Sequence, residues 1–149
     1  HGGNIDAADA CPGNKVFLPV NVPGALFHIG DGHAAQGDGE VCGVATEIPT
    51  RGTFTFDLIK ANAIGTPRIE SDEFIMAVGS ARPMEDAARI AFYELILWLE
   101  QDFGIDRMTG YQLCSQVARV RLANMVDILY SVVAKFPKKF LPRSRDNGR

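Results

Sequence analysis

The stretch that decides the fold of this chain is residues 83–104, PMEDAARIAFYELILWLEQDFG. Pro83 is typical of the first turn of a helix, and the acidic Glu85 and Asp86 behind it suit the positive end of a helix dipole. Gly104 is typical of the residue just after a helix end. Apolar residues recur every three or four positions between these limits: Ala87, Ile90, Ala91, Leu95, Trp98 and Leu99. The pattern predicts one long amphipathic helix that packs on a sheet.

Strands are predicted on both sides of this helix. Before it, β-rich runs bounded by turn residues occupy residues 15–22, 25–29, 40–47, 53–60, 68–70 and 73–78. After it, Thr109-Gly110-Tyr111-Gln112 has the pattern of a capping box and predicts the start of a second helix. Residues 117–133 suit a helix or two strands, and the abundance of valine favours strands after Arg119.

These elements predict the α+β class, with a β-rich N-terminal part followed by helices packed on strands. Residues 1–79 form the β-rich part, and residues 80–149 form a helical α/β part with a basic C-terminal tail. A chain of 149 residues with 46% hydrophobic content is long enough to bury a proper core. The basic tail is expected to be solvated or to contact another subunit.

Charge and cysteine usage narrow the classes of function. The net charge of −3 gives no general reason to expect nucleic acid as a partner, and the basic tail has no interleaved aromatic residues. No run of residues is long and apolar enough to predict a membrane span. Cys11, Cys42 and Cys114 are an odd number at wide spacing, which predicts free thiols in a reducing compartment, the cytoplasm.

The densest group of chemically active side chains lies in residues 30–40, GDGHAAQGDGE. Glycine permits tight turns, so the loop can bring its polar side chains together. These side chains are Asp31, His33, Asp38 and Glu40. Carboxylates with an imidazole suit a divalent metal, Zn²⁺ before Ca²⁺, and also acid–base chemistry. The alternative is a surface turn without a catalytic role, in which Asp31 and Asp38 accept hydrogen bonds from backbone amides and His33 packs against its neighbours and donates a hydrogen bond.

Two further groups flank this loop. If residues 40–47 form a strand, Glu40 and Cys42 point to the same side of it. Cys42 is then either a nucleophile with Glu40 as its base or a small buried filler, and neighbouring carboxylates oppose thiolate formation. Asn4 and Asp6 lie in a second glycine-bracketed cluster, which is either a wall of the same pocket or part of a fraying terminus.

Three segments carry a resemblance to a known family. They are HGGNIDAAD at residues 1–9, FLPVNVPGALFHIGDGHAAQGDGEVCGVATE at 17–47 and YQLCSQVARVRLANMVDILYSVVAKFPKKFLP at 111–142. Together they resemble the acetamidase/formamidase family of short-chain amide hydrolases. The resemblance implies hydrolysis of formamide or acetamide to ammonia and the carboxylic acid, in an oligomeric assembly. It also implies that the N-terminal part is β-sandwich-like and is followed by an α/β part in which helices pack on strands. It places the polar block of the family on Asn4, Asp6, Asp31, His33, Asp38 and Glu40.

Members of that family are considerably longer, and this chain resembles their second half. The resemblance therefore implies an incomplete half of a larger fold, and we expect a second polypeptide to supply the N-terminal half. Without that half, strands lose their partners and leave an exposed apolar edge.

These observations lead to a hypothesis for the site of an amidase. Asp31, His33 and Asp38 hold a divalent cation, which lowers the pKa of a bound water and polarises the amide carbonyl. Glu40 is the base that activates water. His33, if it is not a ligand, protonates the departing ammonia.

The remaining residues of the hypothesis contact the substrate or offer a rival mechanism. Asn4, Asp6 and Gln36 contact the small amide. Cys42 is the rival to water as the nucleophile. The competing class of function is a non-catalytic β-sandwich module whose loop binds a structural cation or an oligomer partner.

Overall fold

Five antiparallel strands and two helices make up the regular structure of this chain, whose computed structural model describes residues 1–60 and 62–142. In chain order the elements are β1 (Lys15–Phe17), β2 (Arg68–Glu70), β3 (Phe74–Ala81), α1 (Met84–Phe103), α2 (Arg107–Val117), β4 (Arg119–Asn124), β5 (Tyr130–Pro137) and a 3₁₀ turn (Lys138–Phe140). The strands form one sheet in the order β1-β2-β3-β5-β4. The α+β class predicted from the sequence is confirmed.

Alternation along β3 gives the sheet two buried faces. Ile75 and Ala77 point to the face covered by α1 and belong to the larger core cluster. Met76 and Val78 point to the opposite face, where they pack with Ala7 of the N-terminal segment and with side chains of β2, β4 and β5. The second face is therefore the one on which the N-terminal segment, with its polar residues, is held.

Helix α1 lies directly against the backbone of β3 at Gly79. A β-carbon at this position would overlap the backbone oxygen of Ala87 and lie 2.6 Å from the backbone nitrogen of Ala91. The helix begins after Pro83 and ends at Gly104, whose φ of 65° is the left-handed conformation expected there. Both ends of the predicted helix are confirmed.

A buried ion pair joins β2 to α1. Arg68 Nη2 lies 2.7 Å from Glu94 Oε1, and the two residues are 2% and 3% exposed. Arg68 also donates a hydrogen bond to Gln101 Oε1 at 2.9 Å, and its guanidinium lies over the ring of Trp98. Removing one charge would leave the other buried without its partner, so the pair constrains how α1 sits on the sheet.

Helix α2 begins earlier than the capping-box pattern predicts. The N-cap is Asp106, whose carboxylate accepts hydrogen bonds from the backbone nitrogens of Met108 at 3.1 Å and Thr109 at 3.2 Å. Because Asp106 already satisfies these first-turn amides, Thr109 lies inside the helix and the predicted cap at Thr109 is wrong. The strands predicted after Arg119 are confirmed as β4 and β5.

Most of the strands predicted in the N-terminal part are not formed by the described residues. Of residues 15–22 only β1 is a strand, and residues 25–29, 40–47 and 53–60 form none beyond a single bridge at Glu47. A strand needs neighbours for its backbone hydrogen bonds, and the described residues build one sheet rather than the two layers of a sandwich. Residues 20–31 and 46–60 are exposed throughout, and we name them the exposed arm.

The two-part division at residue 79 stays a prediction, since β3 runs across it.

All three cysteines are free, as the sequence predicts, and burial raises the pKa of the Cys114 thiol to about 11. Of the basic tail, residues 135–149, the part beyond residue 142 lies outside the described residues. Within residues 1–60 and 62–142, neither helix combines the length and the apolar character needed to cross a membrane.

We expect Gly79→Ala to lower the free energy of unfolding by about 3 kcal/mol, because the added methyl group meets helix backbone that cannot rotate away. Gly30→Ala is the matched control, since nothing lies within 4 Å of the carbon it adds. Urea unfolding measures both changes. Equal stability of the two variants would show that α1 does not depend on a close approach at Gly79.

Candidate active site

The loop of residues 30–40 is fastened to the end of β4 through Gly39. The Gly39 nitrogen donates to the Leu122 oxygen at 2.9 Å, and the Met125 nitrogen donates to the Gly39 oxygen at 3.0 Å. Gly39 has a φ of 83°, and a β-carbon there would lie 3.3 Å from Leu122 Cδ2. The positive φ favours glycine at this position, and the attachment carries Glu40 to the face of the sheet that holds Ala7.

A second set of backbone hydrogen bonds brings Glu47 to His33. The two residues form an isolated antiparallel bridge, and the Ala34 nitrogen donates to the Thr46 oxygen at 2.9 Å. The predicted strand over residues 40–47 is replaced by a turn, in which the Gly43 nitrogen donates to the Glu40 oxygen at 2.8 Å. The chain therefore folds back on itself and adds a carboxylate that the sequence analysis did not include.

Three carboxylates lie near the Nε2 atom of the His33 imidazole. Its Nε2 lies 3.0 Å from Glu47 Oε1, 3.2 Å from Asp31 Oδ1 and 3.9 Å from Glu40 Oε1. The His33 side chain is 10% exposed, whereas those of Asp31 and Glu47 are about half exposed. One ligand atom each from Asp31, His33 and Glu47 lies within 4.8 Å of the others, so this group can hold a metal ion.

The environment of His33 favours a positive charge at this point. Its pKa is raised, first by the hydrogen bond between Nδ1 and Gln36 Oε1 at 3.0 Å and then by the charges of Glu47 and Asp31. Burial acts in the opposite direction. A protonated imidazole and a bound cation would each balance the negative charge of these carboxylates.

A second acidic group lies deeper, at the end of β4. One carboxylate oxygen each from Asp6, Glu40 and Asp127 falls within 4.8 Å of the others. The fully buried Asn124 donates from Nδ2 to Asp6 Oδ2 at 3.2 Å. Burial, followed by Asp127, raises the pKa of Asp6 to about 7, and burial also raises the pKa of Glu40.

Asp127 was missed by the sequence analysis. It lies in an apolar stretch where no glycine or neighbouring polar residue marks a site, within residues 117–133 that read as strand. Only the bend between β4 and β5 turns it toward Asp6 and Glu40.

Asp38 does not join His33, which corrects the predicted ligand set. Its carboxylate instead accepts a hydrogen bond from Arg121 Nε on β4. The same guanidinium lies 3.6 Å from Asp9, so Arg121 is held between two acids. The sequence could not show this because Arg121 is 83 residues away.

The other predicted site residues are spread around this centre. Asn4 is exposed, and Cys42 is exposed with its thiol donating to the Val44 oxygen at 3.2 Å. Glu40 by contrast is 8% exposed, so the two side chains do not share the predicted strand face. Gln36 donates from Nε2 to the backbone oxygens of Asp6 and Ala123.

Backbone strain is concentrated at the same place. Among the described residues other than glycine, those with positive φ are Asn4, Asp6, Ala25, Leu26, Asp31 and Glu40. Four of these six belong to the predicted polar block. Residues with side chains adopt this conformation at a cost, and such strain is typical of functional sites.

The chain belongs to the acetamidase/formamidase family, which it matches over residues 1–141. It is 38% identical over 96 residues to a putative formamidase of Schizosaccharomyces pombe, a match that covers 63% of this chain and 22% of the relative. Among solved structures, an acetamidase from Yersinia enterocolitica has a TM-score of 0.88 at 48% identity, over 96% of this chain and 43% of that one. An acetamidase from Bacillus halodurans has a TM-score of 0.77 at 28% identity, over 94% and 48%. The chain thus spans less than half the length of each of these relatives.

Asp6 makes the stability of the metal-free protein depend on pH. Folding raises its pKa from 3.8 to about 7, so between these values the folded state binds more protons than the unfolded state. The contribution of Asp6 to the free energy of unfolding is therefore present at low pH and falls as the pH rises to about 7. We expect Asp6→Asn to flatten this fall in urea unfolding measured with a chelator over a pH series. Asp72→Asn, at an exposed position, is the control, and an unchanged profile for Asp6→Asn would contradict the assignment.

Proposed function

We propose that this chain carries catalytic residues of an amidase that hydrolyses short linear amides, formamide and acetamide, to ammonia and the carboxylic acid. The observation that carries the proposal is the buried carboxylate of Glu40, which lies between the His33 cluster and the pair of Asp6 and Asp127. Membership of the acetamidase/formamidase family and the names of the relatives support the same activity.

In this proposal Asp31, His33 and Glu47 hold a divalent cation, with Glu47 in the place first given to Asp38. An imidazole with two carboxylates is a donor set suited to Zn²⁺ first and to Ca²⁺ second. When bound, the cation lowers the pKa of a water from about 15.7 toward about 7 and polarises a carbonyl. The half-exposed Asp31 and Glu47 leave this face of the site open to substrate.

Glu40 is the acid–base group of the reaction. A buried carboxyl with a raised pKa is suited to take and return a proton near neutral pH. Its carboxylate takes a proton from water, the water oxygen bonds to the amide carbon, and the carbon–nitrogen bond then breaks. Glu40 returns the proton to the leaving nitrogen, so that ammonia and the carboxylic acid are the products. Asp6, which lies beside Glu40, and Asn4 contact the amide group of the substrate in this scheme.

Three free cysteines support a reducing compartment, and we place the protein in the cytoplasm. Cys42 remains the rival nucleophile in our proposal, with Glu40 as its base. Its exposure makes it accessible to substrate and to alkylating reagents alike.

We expect Glu40→Gln to reduce ammonia release from formamide and acetamide on the order of 10²–10⁴-fold, because the amide side chain cannot take a proton. The assay is run on the protein together with all chains that copurify with it. Glu73→Gln, at an exposed glutamate, is the control. Addition of a chelator should abolish activity, and Zn²⁺ should restore it.

Other results of this assay would point elsewhere. Near-normal turnover by Glu40→Gln would remove Glu40 from the mechanism. Inactivation by iodoacetamide that is lost in Cys42→Ala, but not in Cys11→Ala, would favour the cysteine as nucleophile. Stabilisation by Ca²⁺ without ammonia release would favour the non-catalytic module.

We propose that a second polypeptide, corresponding to the rest of the family fold, covers the aromatic cluster of the exposed arm. Phe27, Phe54 and Phe56 pack against one another with ring centroids 4.8–6.4 Å apart, yet each is more than two-fifths exposed. Apolar patches of this kind mark interaction sites. The solved relatives contain a comparable length of additional chain, since this chain covers 43% and 48% of them. We propose that assembly into an oligomer uses the same surface.

We expect Phe56→Asp to prevent assembly with this partner, because it places a charge in the apolar cluster. The probe is the part of the Yersinia enterocolitica acetamidase that this chain does not cover, mixed with this chain and analysed by size-exclusion chromatography with light scattering. Tyr93→Asp is the control, since Tyr93 on α1 is 61% exposed and Phe56 is 65% exposed. A well-folded lone monomer, or equal effects of both substitutions, would exclude this surface.

A further inference from the structure

The orientation of the Gln36 side chain is determined by its neighbours. Its Nε2 faces two backbone carbonyl oxygens, those of Asp6 and of Ala123, the latter at 3.2 Å. Carbonyl oxygens only accept hydrogen bonds, so the amino group of Gln36 must point toward them. The amide oxygen therefore points the other way, toward His33.

This orientation determines which nitrogen of His33 carries the proton. Gln36 Oε1 lies 3.0 Å from His33 Nδ1, and an amide oxygen can only accept. Nδ1 must then donate, so that in the neutral imidazole Nε2 keeps its lone pair. The opposite tautomer would bring two acceptors face to face at Nδ1.

The carboxylates on the other side of the ring favour the opposite tautomer. Glu47 and Asp31 lie 3.0 and 3.2 Å from Nε2, and as acceptors they would attract a proton to that atom. Without Gln36, the metal-free imidazole would carry its proton on Nε2, between these carboxylates. That proton would occupy the lone pair with which His33 could bind a cation. Gln36 opposes this because both its amide hydrogens and its oxygen are already engaged within the chain.

We infer that Gln36 is a positioning residue that holds His33 in the Nδ1–H tautomer and so presents the Nε2 lone pair to the cation site. The role of the Nε2 lone pair as a metal ligand rests on the proposed function, whereas the assignment of the tautomer does not. It also corrects the predicted contact between Gln36 and substrate, since the amide has no hydrogen left to donate. Partners that orient a metal-ligating histidine typically affect metal affinity 10–100-fold.

The test is ¹⁵N NMR of histidine-labelled protein, together with the chains that copurify with it, metal-free and at alkaline pH. The chain has three histidines, so few signals must be assigned, and His33→Asn identifies the relevant one. We expect the wild-type His33 to be protonated at Nδ1. Isothermal titration with Zn²⁺ then measures the affinity of each variant.

Two substitutions separate positioning from general stability. Gln36→Leu removes the acceptor, so Nε2–H should become the main tautomer and Zn²⁺ affinity should fall about 10–100-fold. Gln36→Glu keeps an acceptor for Nδ1–H but cannot donate to the carbonyls of Asp6 and Ala123. It should retain the Nδ1–H signature and most of the affinity while lowering the melting temperature. Gln116→Leu, at an exposed glutamine on α2, should change none of these quantities.

A wild-type protein protonated at Nε2 would overturn the inference, as would Gln36→Leu with an unchanged tautomer and affinity. Failure of the proposed function has a different signature. In that case the wild type would show Nδ1–H and the variants would shift as stated, but no amide would be hydrolysed. If Gln36→Leu does not fold, the wild-type spectrum and Gln36→Glu still decide the matter.

Discussion

The candidate site depends on the two backbone hydrogen bonds that hold Gly39 against the end of β4. They carry Glu40 onto the second face of the sheet, where Asp6 and Asp127 approach it. The position of the loop therefore depends on the sheet to which it is bonded. Helix α1 stabilises that sheet through the close approach at Gly79 and the buried ion pair to β2. Packing on one face of the sheet therefore sets the geometry of the acids on the other.

Gathering these acids raises the free energy of the metal-free chain. Burial and like charge raise the pKa values of Asp6 and Glu40, and the positive φ angles of Asp31 and Glu40 add backbone strain. A proton or a cation relieves the repulsion. Carboxylates that repel one another when neither a proton nor a cation is bound are suited to binding a cation and to transferring protons.

The carboxylates at the open face of the site belong to the exposed arm, since Asp31 ends its first segment and Glu47 lies near the start of its second. Asp31 and Glu47 are half exposed where substrate would approach, and residues 20–31 and 46–60 expose apolar side chains along their length. The exposed apolar side chains of the arm are typical of an interaction site, whereas the half-exposed carboxylates leave the cation site open. The strand-like sequences of the arm are consistent with this, since a strand forms only when a neighbouring chain accepts its hydrogen bonds.

The sequence by itself determined the features that contiguous residues encode. These are the limits of α1, the strands that flank it, and a glycine-spaced loop carrying His33 and Glu40. Only the tertiary structure decided that Glu47 rather than Asp38 faces His33, and that Asp127 joins Glu40. The reason is separation along the chain: helix periodicity and glycine turns act over a few residues, whereas the contacts that complete the site join residues up to 118 positions apart.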